Sequence, residues 1–258
     1  MTARFEGRVA VITGGSSGIG ATIARRLAEE GATVLVVASR DAAKAAEVAR
    51  AIAAAGGRAE GVAADVRDAD AVRALADGIV AFHGRIDIWV NAAGLFLPSP
   101  PGETDTSVLD LMIDTNVKGT WNGVQAVVPH MKRAGGGKIL NFSSVAGLTA
   151  FKGFALYSAS KAATAMMTRV LAAELAPFDI NVNAIAPGNT ATPMNEGMRS
   201  DPAQAAILEA MQAMTPSNRT FSDPDEIAAA ALFLLSDAAR PIHGSTLLVD
   251  EGISAALG

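Results

Sequence analysis

Apolar positions along this chain fall into two kinds of segment that alternate. Short runs rich in β-branched residues, such as RVAVIT and TVLVVA, are separated by longer Ala-rich segments whose apolar residues recur at i, i+3 and i+4. The short runs predict buried strands and the longer segments predict amphipathic helices. Seven strands are predicted, at residues 8–13, 33–38, 59–64, 86–91, 138–142, 180–186 and 245–250.

This alternation predicts the fold class, because successive parallel strands need helical crossovers that cover both faces of the sheet. Several predicted strands are apolar without a polar face, as expected for a sheet covered on both sides. We therefore expect an α/β single-domain Rossmann fold over residues 1–258, a doubly wound seven-stranded parallel sheet with helices on both faces. Residues 188–221 interrupt the alternation after a strand's carboxyl end, and we expect them to form a lid over the substrate.

Composition and charge narrow the class of partner. The formal net charge is −5 and the basic residues are not clustered, so no nucleic acid or anionic membrane surface is expected as a partner and a small molecule is favoured. The absence of cysteine excludes disulfides and thiolate ligands, and the three histidines are not grouped like metal ligands, so no metal is predicted. The start lacks the apolar core of a signal peptide, and the longest apolar run is too short to cross a bilayer, so we expect a soluble cytoplasmic protein.

A glycine-rich turn, TGGSSGIG (13–20), joins the first predicted strand to the first predicted helix. Glycine permits the tight turn and lets backbone N–H groups approach an anion, while the helix amino terminus favours the charge of a pyrophosphate. An ordinary glycine-rich loop is the alternative. The strand before the turn and the helix after it favour dinucleotide binding.

The spacing Thr-Gly-x-x-x-Gly-x-Gly resembles the signature of the short-chain dehydrogenase/reductase family. Further motifs follow in the family's order: NAAG (91–94), a serine after the fifth strand, YSASK (157–161) and a Pro-Gly turn after the sixth strand. The resemblance implies an NAD(P)-dependent oxidoreductase that transfers a hydride between the nicotinamide and a ketone or secondary alcohol (CH–OH). It also implies a homotetramer or a dimer.

The resemblance also implies which residues bind the dinucleotide, and two positions depart from the family pattern. Ala92 stands where the family usually has asparagine, and Glu251 stands where it usually has glycine. The implied cofactor contacts are Gly14, Ser16, Ser17, Gly18, Ile19, Gly20, Ser39, Arg40, Asp65, Val66, Asn91, Ala92, Ala93, Gly94, Tyr157, Lys161, Pro187, Gly188, Thr190 and Thr192.

The end of the second strand decides which dinucleotide is expected. Ser39 occupies the place where NAD-dependent members usually carry aspartate, and the guanidinium of Arg40 suits a 2′-phosphate, so NADP is predicted with NAD as the alternative. The alternatives are that Arg40 is a solvated surface charge, or that Asp41, interpreted as the cap of the next helix, weakens phosphate binding. Asp65 is interpreted either as an adenine contact or as a helix-capping carboxylate.

Tyr157, the only tyrosine of the chain, lies four residues before Lys161, so both side chains share one helix face. A nearby ammonium lowers the pKa of a phenol, which would make Tyr157 a general acid and base. A core tyrosine beside a snorkelling lysine is the alternative. The resemblance assigns Ser144, thirteen residues before the tyrosine, to hold the substrate oxygen, and assigns Asn116 to support a proton relay.

Apolar residues after the motifs bear on the substrate. Phe96, Phe151 and Met194, with Ser144, are the predicted substrate contacts and favour an apolar or aromatic ketone or alcohol; core or subunit packing is the alternative. An NADP-binding sensor or scaffold without turnover is the competing hypothesis from another class. Among enzymes, a 3-oxoacyl-carrier-protein reductase and an NAD-dependent alcohol dehydrogenase stay open, although the residues before the sixth strand, APFDI, are not basic.

Overall fold

A computed structural model describes residues 3–39 and 41–256 of the chain. Within these residues seven strands form one sheet in the order β3-β2-β1-β4-β5-β6-β7, and every neighbouring pair is parallel. The predicted fold class is therefore confirmed. The strands are β1 (Val9–Thr13), β2 (Thr33–Ala38), β3 (Arg58–Ala63), β4 (Ile88–Asn91), β5 (Gly137–Phe142), β6 (Ile180–Pro187) and β7 (Thr246–Val249).

Helices cover both faces of the sheet, and successive residues of each central strand point to opposite faces. In β1, Ile12 belongs to a buried cluster that includes residues of the helices Gly18–Glu29 and Pro224–Leu235. Val11 belongs to a second cluster, which includes residues of the helices Ala69–His83, Gly119–Ala134 and Ala155–Leu175. Because both faces are covered, β1, β4 and β6 are buried along their whole length. The helices are α1 (Gly18–Glu29), α2 (Ala42–Ala54), α3 (Ala69–His83), α4 (Thr106–Met112), α5 (Gly119–Ala134), α6 (Ala155–Leu175), α7 (Glu196–Ser200), α8 (Ala205–Ala213), α9 (Pro224–Leu235) and α10 (Ile253–Ala256).

Two features differ from a simple alternation of strand and helix. The single helical segment predicted over residues 105–133 is divided into α4 and α5 by a π-helical stretch, Ile113–Lys118. Between β6 and α9 the insertion contains the short helices α7 and α8, and no residue of α8 is buried. Among residues 3–39 and 41–256, no helix combines the length and the hydropathy that a membrane span requires.

The order of the strands positions the site. It reverses between β1 and β4, so the loops that follow these two strands diverge and leave a crevice at the carboxyl edge of the sheet. The loops after β5 and β6 reach the same edge. Apart from Asn116, which lies in the π-helical stretch, the predicted site motifs follow the carboxyl ends of strands or begin the helices after them.

Candidate active site

The glycine-rich turn after β1 is shaped by close approaches of its backbone. Gly14 has φ +68°, and a Cβ there would lie 2.6 Å from the backbone nitrogen of Ala93. A Cβ on Gly20 would lie 2.4 Å from the carbonyl oxygen of Gly14. These two positions therefore require glycine. Ser16, Ser17, Gly18 and Ile19 lie between them, and α1 begins at Gly18 without a side-chain capping bond from Ser17, which leaves its first-turn amides available to an anion.

The loops after β2 and β3 bear on the predicted adenosine contacts. Ser39 follows β2 and is exposed, while Arg40 lies outside the described residues. Asp41 accepts from the backbone nitrogen of Lys44 and caps α2, as predicted. Asp65 forms an ion pair of 2.6 Å with Arg67, and α3 is capped by Asp68, so the interpretation of Asp65 as a helix cap is wrong. Three acidic residues stand near the start of α3 in the sequence, and only the backbone geometry selects among them.

Of the NAAG residues, the first supports the sheet and the last borders the cleft. The Asn91 side chain accepts from Trp89 Nε1 at 2.8 Å and donates to Asn141 at 2.9 Å, inside the core. Ala92 donates its backbone N–H to Thr13 O, and Ala93 donates to the hydroxyl of Thr13. These contacts direct the Asn91 side chain into the sheet and leave backbone to face the crevice.

Gly94 opens a gap between two predicted catalytic side chains. A Cβ built on Gly94 would lie 3.4 Å from Asn116 Oδ1 and 3.4 Å from Lys161 Nζ. The missing side chain at this position therefore leaves space beside both polar groups. Val66, another predicted contact, is buried against Gly119.

Tyr157 and Lys161 lie in the first turns of α6, on the face turned toward the end of β5. Ser144 follows β5, and its hydroxyl lies beside the Tyr157 phenol. Lys161 Nζ donates to the carbonyl oxygen of Phe142 at 2.8 Å and lies 5.7 Å from the centre of the Tyr157 ring. The structure thus brings together the serine, the tyrosine and the lysine that the sequence predicts.

Burial shifts the pKa values of both Tyr157 and Lys161. It raises the pKa of the Tyr157 phenol above its ordinary value, and the hydrogen bond with Ser144 opposes that rise. Burial also lowers the pKa of Lys161 to about 8. Without a dinucleotide the Tyr157 pKa is therefore raised, because the loss of hydration at the phenol outweighs the hydrogen bond with Ser144. The lowering of this pKa by Lys161 together with an oxidised nicotinamide stays a prediction. These pKa shifts of Tyr157 and Lys161 are those of the chain alone, without the positive charge of an oxidised nicotinamide.

Asn116 lies in the π-helical stretch between α4 and α5, and its side chain is fully engaged. Its Oδ1 accepts from the backbone nitrogen of Leu95 at 2.8 Å, and its Nδ2 donates to Leu95 O and to Ser160 Oγ, each at 3.0 Å. Ser160 Oγ in turn donates to the carbonyl oxygen of Tyr157. Ser160 thus links Asn116 to the tyrosine, a role that was not predicted from the sequence. The partners lie far apart along the chain, so no local signal marks this link.

Aromatic rings form one side of the cleft next to Tyr157. Phe96 contacts the Tyr157 ring edge-to-face at 4.8 Å and stacks on Phe154 at 4.3 Å. Phe151 lies 6.4 Å from Phe96 and 42% of its surface is exposed. Two predicted substrate contacts, Phe96 and Phe151, therefore lie together beside the phenol. Met194 lies on the turn Pro193–Asn195 of the predicted lid and is exposed.

The turn after β6 meets the glycine-rich turn. Thr192 follows Pro187, Gly188 and Thr190, and its Cβ would lie 3.3 Å from a Cβ on Gly18. Motifs separated by about 170 residues thus form one wall of the crevice. The described residues contain no cluster of three or more histidine, aspartate or glutamate side chains placed to hold a metal.

A cavity of about 160 Å³ lies at the opposite, amino-terminal edge of the sheet. It is lined by charged residues that include Arg8, Asp87, Lys138 and Arg240, and none of the predicted site residues borders it. The predicted chemistry is therefore confined to the open crevice at the carboxyl edge.

Comparisons with known proteins agree with this geometry. A family profile described as enoyl-(acyl carrier protein) reductase matches residues 14–254. The chain is 40% identical over 251 residues to 3beta-hydroxysteroid dehydrogenase 1 of Eggerthella lenta, covering 97% of this chain and 95% of the relative. It is 37% identical over 252 residues to cyclopentanol dehydrogenase of a Comamonas species, covering 98% and 99% of the two chains.

The crystal structure of a gluconate 5-dehydrogenase from Burkholderia cenocepacia, in complex with NADP and tartrate, superimposes with a TM-score of 0.92. Its sequence is 37% identical to this chain, and the match covers 98% of each chain.

Proposed function

The chain belongs to the short-chain dehydrogenase/reductase family and is an NAD(P)-dependent oxidoreductase acting on CH–OH groups, and from this premise we propose its dinucleotide, its substrate class and the roles of its site residues. The single observation that carries the proposal is the placement of the Tyr157 phenol at the carboxyl edge of the sheet, beside Ser144 and the aromatic rings and next to the buried Lys161.

NADP is the proposed dinucleotide. The glycine positions of the first turn leave room for a pyrophosphate on the amino terminus of α1, and Ser39 removes the carboxylate that would oppose a 2′-phosphate. The Burkholderia neighbour that superimposes on this chain carries NADP. When bound, the nicotinamide supplies or accepts the hydride.

The proton chemistry belongs to the chain. The hydroxyls of Ser144 and Tyr157 lie side by side, so one substrate oxygen in contact with both would be held and protonated at the same point. Lys161, fixed by Phe142 O, places a positive charge beneath the phenol and stabilises the phenolate left after proton transfer. Asn116 borders the same gap at Gly94 and supports the transfer of the proton toward solvent.

The proposed substrate is a ketone or secondary alcohol on an apolar ring. Phe96, Phe151 and Phe154 form an apolar aromatic cluster next to the reacting hydroxyls, which suits a ring carbon skeleton better than a chain of hydroxyl groups. The relatives named for a hydroxysteroid and for cyclopentanol act on ring alcohols by their names. Residues 188–221 are proposed as the lid over this surface.

A homotetramer or dimer in the cytoplasm completes the proposal. Large apolar side chains stand exposed on α5 and α6, namely Trp121, Met166 and Val170, and a second copy of the chain would cover them. Size-exclusion chromatography with light scattering tests the assembly, and a monomeric mass at micromolar concentration would contradict it.

Turnover of cyclopentanone and cyclohexanone with NADPH and NADH tests the function. Tyr157→Phe should reduce turnover to below about 1% of the wild type, since general acid catalysis contributes about a hundredfold or more, while NADPH binding stays intact. In the oxidative direction, with NADP⁺ or NAD⁺, a four-carbon polyol is compared with cyclopentanol as the matched open-chain substrate. Activity in Tyr157→Phe would refute the proton-transfer role, a preference for the polyol would refute the substrate class, and binding without turnover of any alcohol would favour the sensor hypothesis.

A further inference from the structure

The turn after β7 contacts both ends of the predicted lid. A Cβ on Gly188, where the insertion begins, would lie 2.8 Å from Asp250 Cα. At the other end, Pro216 packs within 3.3 Å of the Cβ position of Gly252, and the backbone nitrogen of Ser217 donates to Glu251 O at 3.3 Å. Residues 250–252 therefore form a common base for the two legs of the insertion.

Glu251 contributes an unusual side chain to this base. Its φ is +57°, in the left-handed region that favours glycine, and glycine is what the family usually has there. A non-glycine residue held in this conformation is strained, and such strain persists where surrounding contacts compensate for it. The contacts of the Glu251 carboxylate are therefore candidates for the interactions that compensate for this strain.

The carboxylate of Glu251 is directed toward the distal leg of the insertion. Its Oε1 accepts from Ser222 Oγ at 3.0 Å and lies 3.6 Å from Arg219 Nη1. Arg219 is itself held by a two-point contact with Glu226, whose Oε2 accepts from the backbone nitrogen of Asp223 at the start of α9. The side chain of Glu251 is 16% exposed, so its bond to Ser222 is shielded from water.

Ser222 transmits this contact to the turn after β6. Its backbone nitrogen donates to Asn189 O at 2.8 Å, and its carbonyl oxygen accepts from the backbone nitrogen of Ala191 at 3.0 Å. Thr190, between them, is paired with Ser222 in an isolated parallel bridge. The next residues lead to Thr192, which contacts the glycine-rich turn. Ser222 thus links the Glu251 carboxylate to residues 189–192, which form part of one wall of the dinucleotide crevice.

We propose that Glu251 is a positioning residue for the dinucleotide: its carboxylate fixes Ser222, which holds residues 189–192 against the crevice and slows release of the bound cofactor. This inference rests on the proposed function, because it requires a dinucleotide beside these residues. It assigns a role to a position at which this chain departs from the family pattern.

Stopped-flow dissociation of NADPH from the full chain tests the proposal. Glu251→Gly should release NADPH about tenfold faster, the change expected for the loss of one hydrogen bond to a charged acceptor. Glu251→Gln keeps an oxygen that accepts from Ser222 and should stay within about twofold of the wild type. Ser222→Ala should match Glu251→Gly, and the double variant should be no faster than either single variant.

A matched control separates this role from a general effect on stability. Asn218, four residues before Ser222, also has φ in the left-handed region, at +66°, so Asn218→Gly relieves comparable strain without removing the Glu251 contact. We expect unchanged NADPH release from Asn218→Gly and no loss of thermal stability in Glu251→Gly. Unchanged release from Glu251→Gly, or additive effects of the two single variants, would overturn the proposal.

Amide hydrogen exchange tests whether Glu251 holds residues 189–192 in place without relying on NADPH binding or turnover. The amides of Ala191 and Ser222 should exchange faster in Glu251→Gly than in the wild type, in protein to which no dinucleotide has been added. If protection falls and yet the wild type binds no NADPH, the contact is real and the proposed function is wrong. If protection is unchanged, the positioning role itself is wrong.

Discussion

The titration of Lys161 offers a quantitative test of the buried site, through the variant Lys161→Met. Burial lowers the Lys161 pKa from 10.5 to about 8. A difference of roughly 2.5 units corresponds to about 3 kcal/mol of stability, at about 1.4 kcal/mol per unit. Methionine keeps much of the side-chain volume and removes the ionisable group.

The direction in which the unfolding free energy changes with pH depends on whether the folded or the unfolded chain binds the Lys161 proton more tightly. The unfolded chain keeps its lysine protonated up to about pH 10.5, whereas the folded chain releases that proton at about pH 8. The penalty is therefore complete below pH 8 and disappears as the pH rises through the unfolded value. Relative to Lys161→Met, the wild type should gain about 2 kcal/mol in unfolding free energy between about pH 7 and pH 9.5.

Urea unfolding followed by tryptophan fluorescence measures this difference at each pH, with protein concentration fixed and no dinucleotide added. Lys161→Met also removes the hydrogen bond from Lys161 Nζ to Phe142 O, which changes the unfolding free energy by an amount that does not depend on the Lys161 pKa. Only the pH dependence of the difference between the two proteins therefore reports the titration of Lys161. Lys152→Met, at an exposed position, controls for the loss of one positive charge. A difference between wild type and Lys161→Met that stays flat within about 0.5 kcal/mol would refute the buried, destabilised ammonium.

Three further predictions concern packing, substrate and cofactor. Gly123→Ala should destabilise the fold by about 2 kcal/mol or more in urea unfolding, since its Cβ would lie 2.3 Å from Asn91 Oδ1. The control Gly78→Ala, in open space on α3, should instead stabilise the fold by about 0.5 kcal/mol. Equal effects would contradict the packing argument. Phe96→Ala should lower kcat/KM for cyclohexanone about tenfold with NADPH affinity retained; an unchanged value would remove Phe96 from the substrate surface. Arg40→Asp should shift the preference toward NADH by about tenfold or more, and a wild type that prefers NADH would refute the NADP proposal.

The secondary-structure pattern and the motif order follow from local sequence. Hydrophobic periodicity is a property of neighbouring residues, and it places the seven strands within about two residues of their observed bounds. Gly14 and Gly20 are predictable for the same reason, because a strand–turn–helix with these glycines has few backbone solutions. The tyrosine and lysine share a face because a helix repeats every 3.6 residues.

The tertiary structure decided what depends on residues distant in sequence. The π-helical stretch at Asn116 interrupts an apparently continuous helix, and the partners of its side chain, Leu95 and Ser160, come from elsewhere in the fold. The pKa of Tyr157 rises because of burial, which no spacing of residues reveals. The contact of Glu251 with Ser222 likewise depends on how β7 meets the insertion. Short-range periodicity therefore determined the elements and the family, while desolvation and long-range hydrogen bonding determined how the site is held.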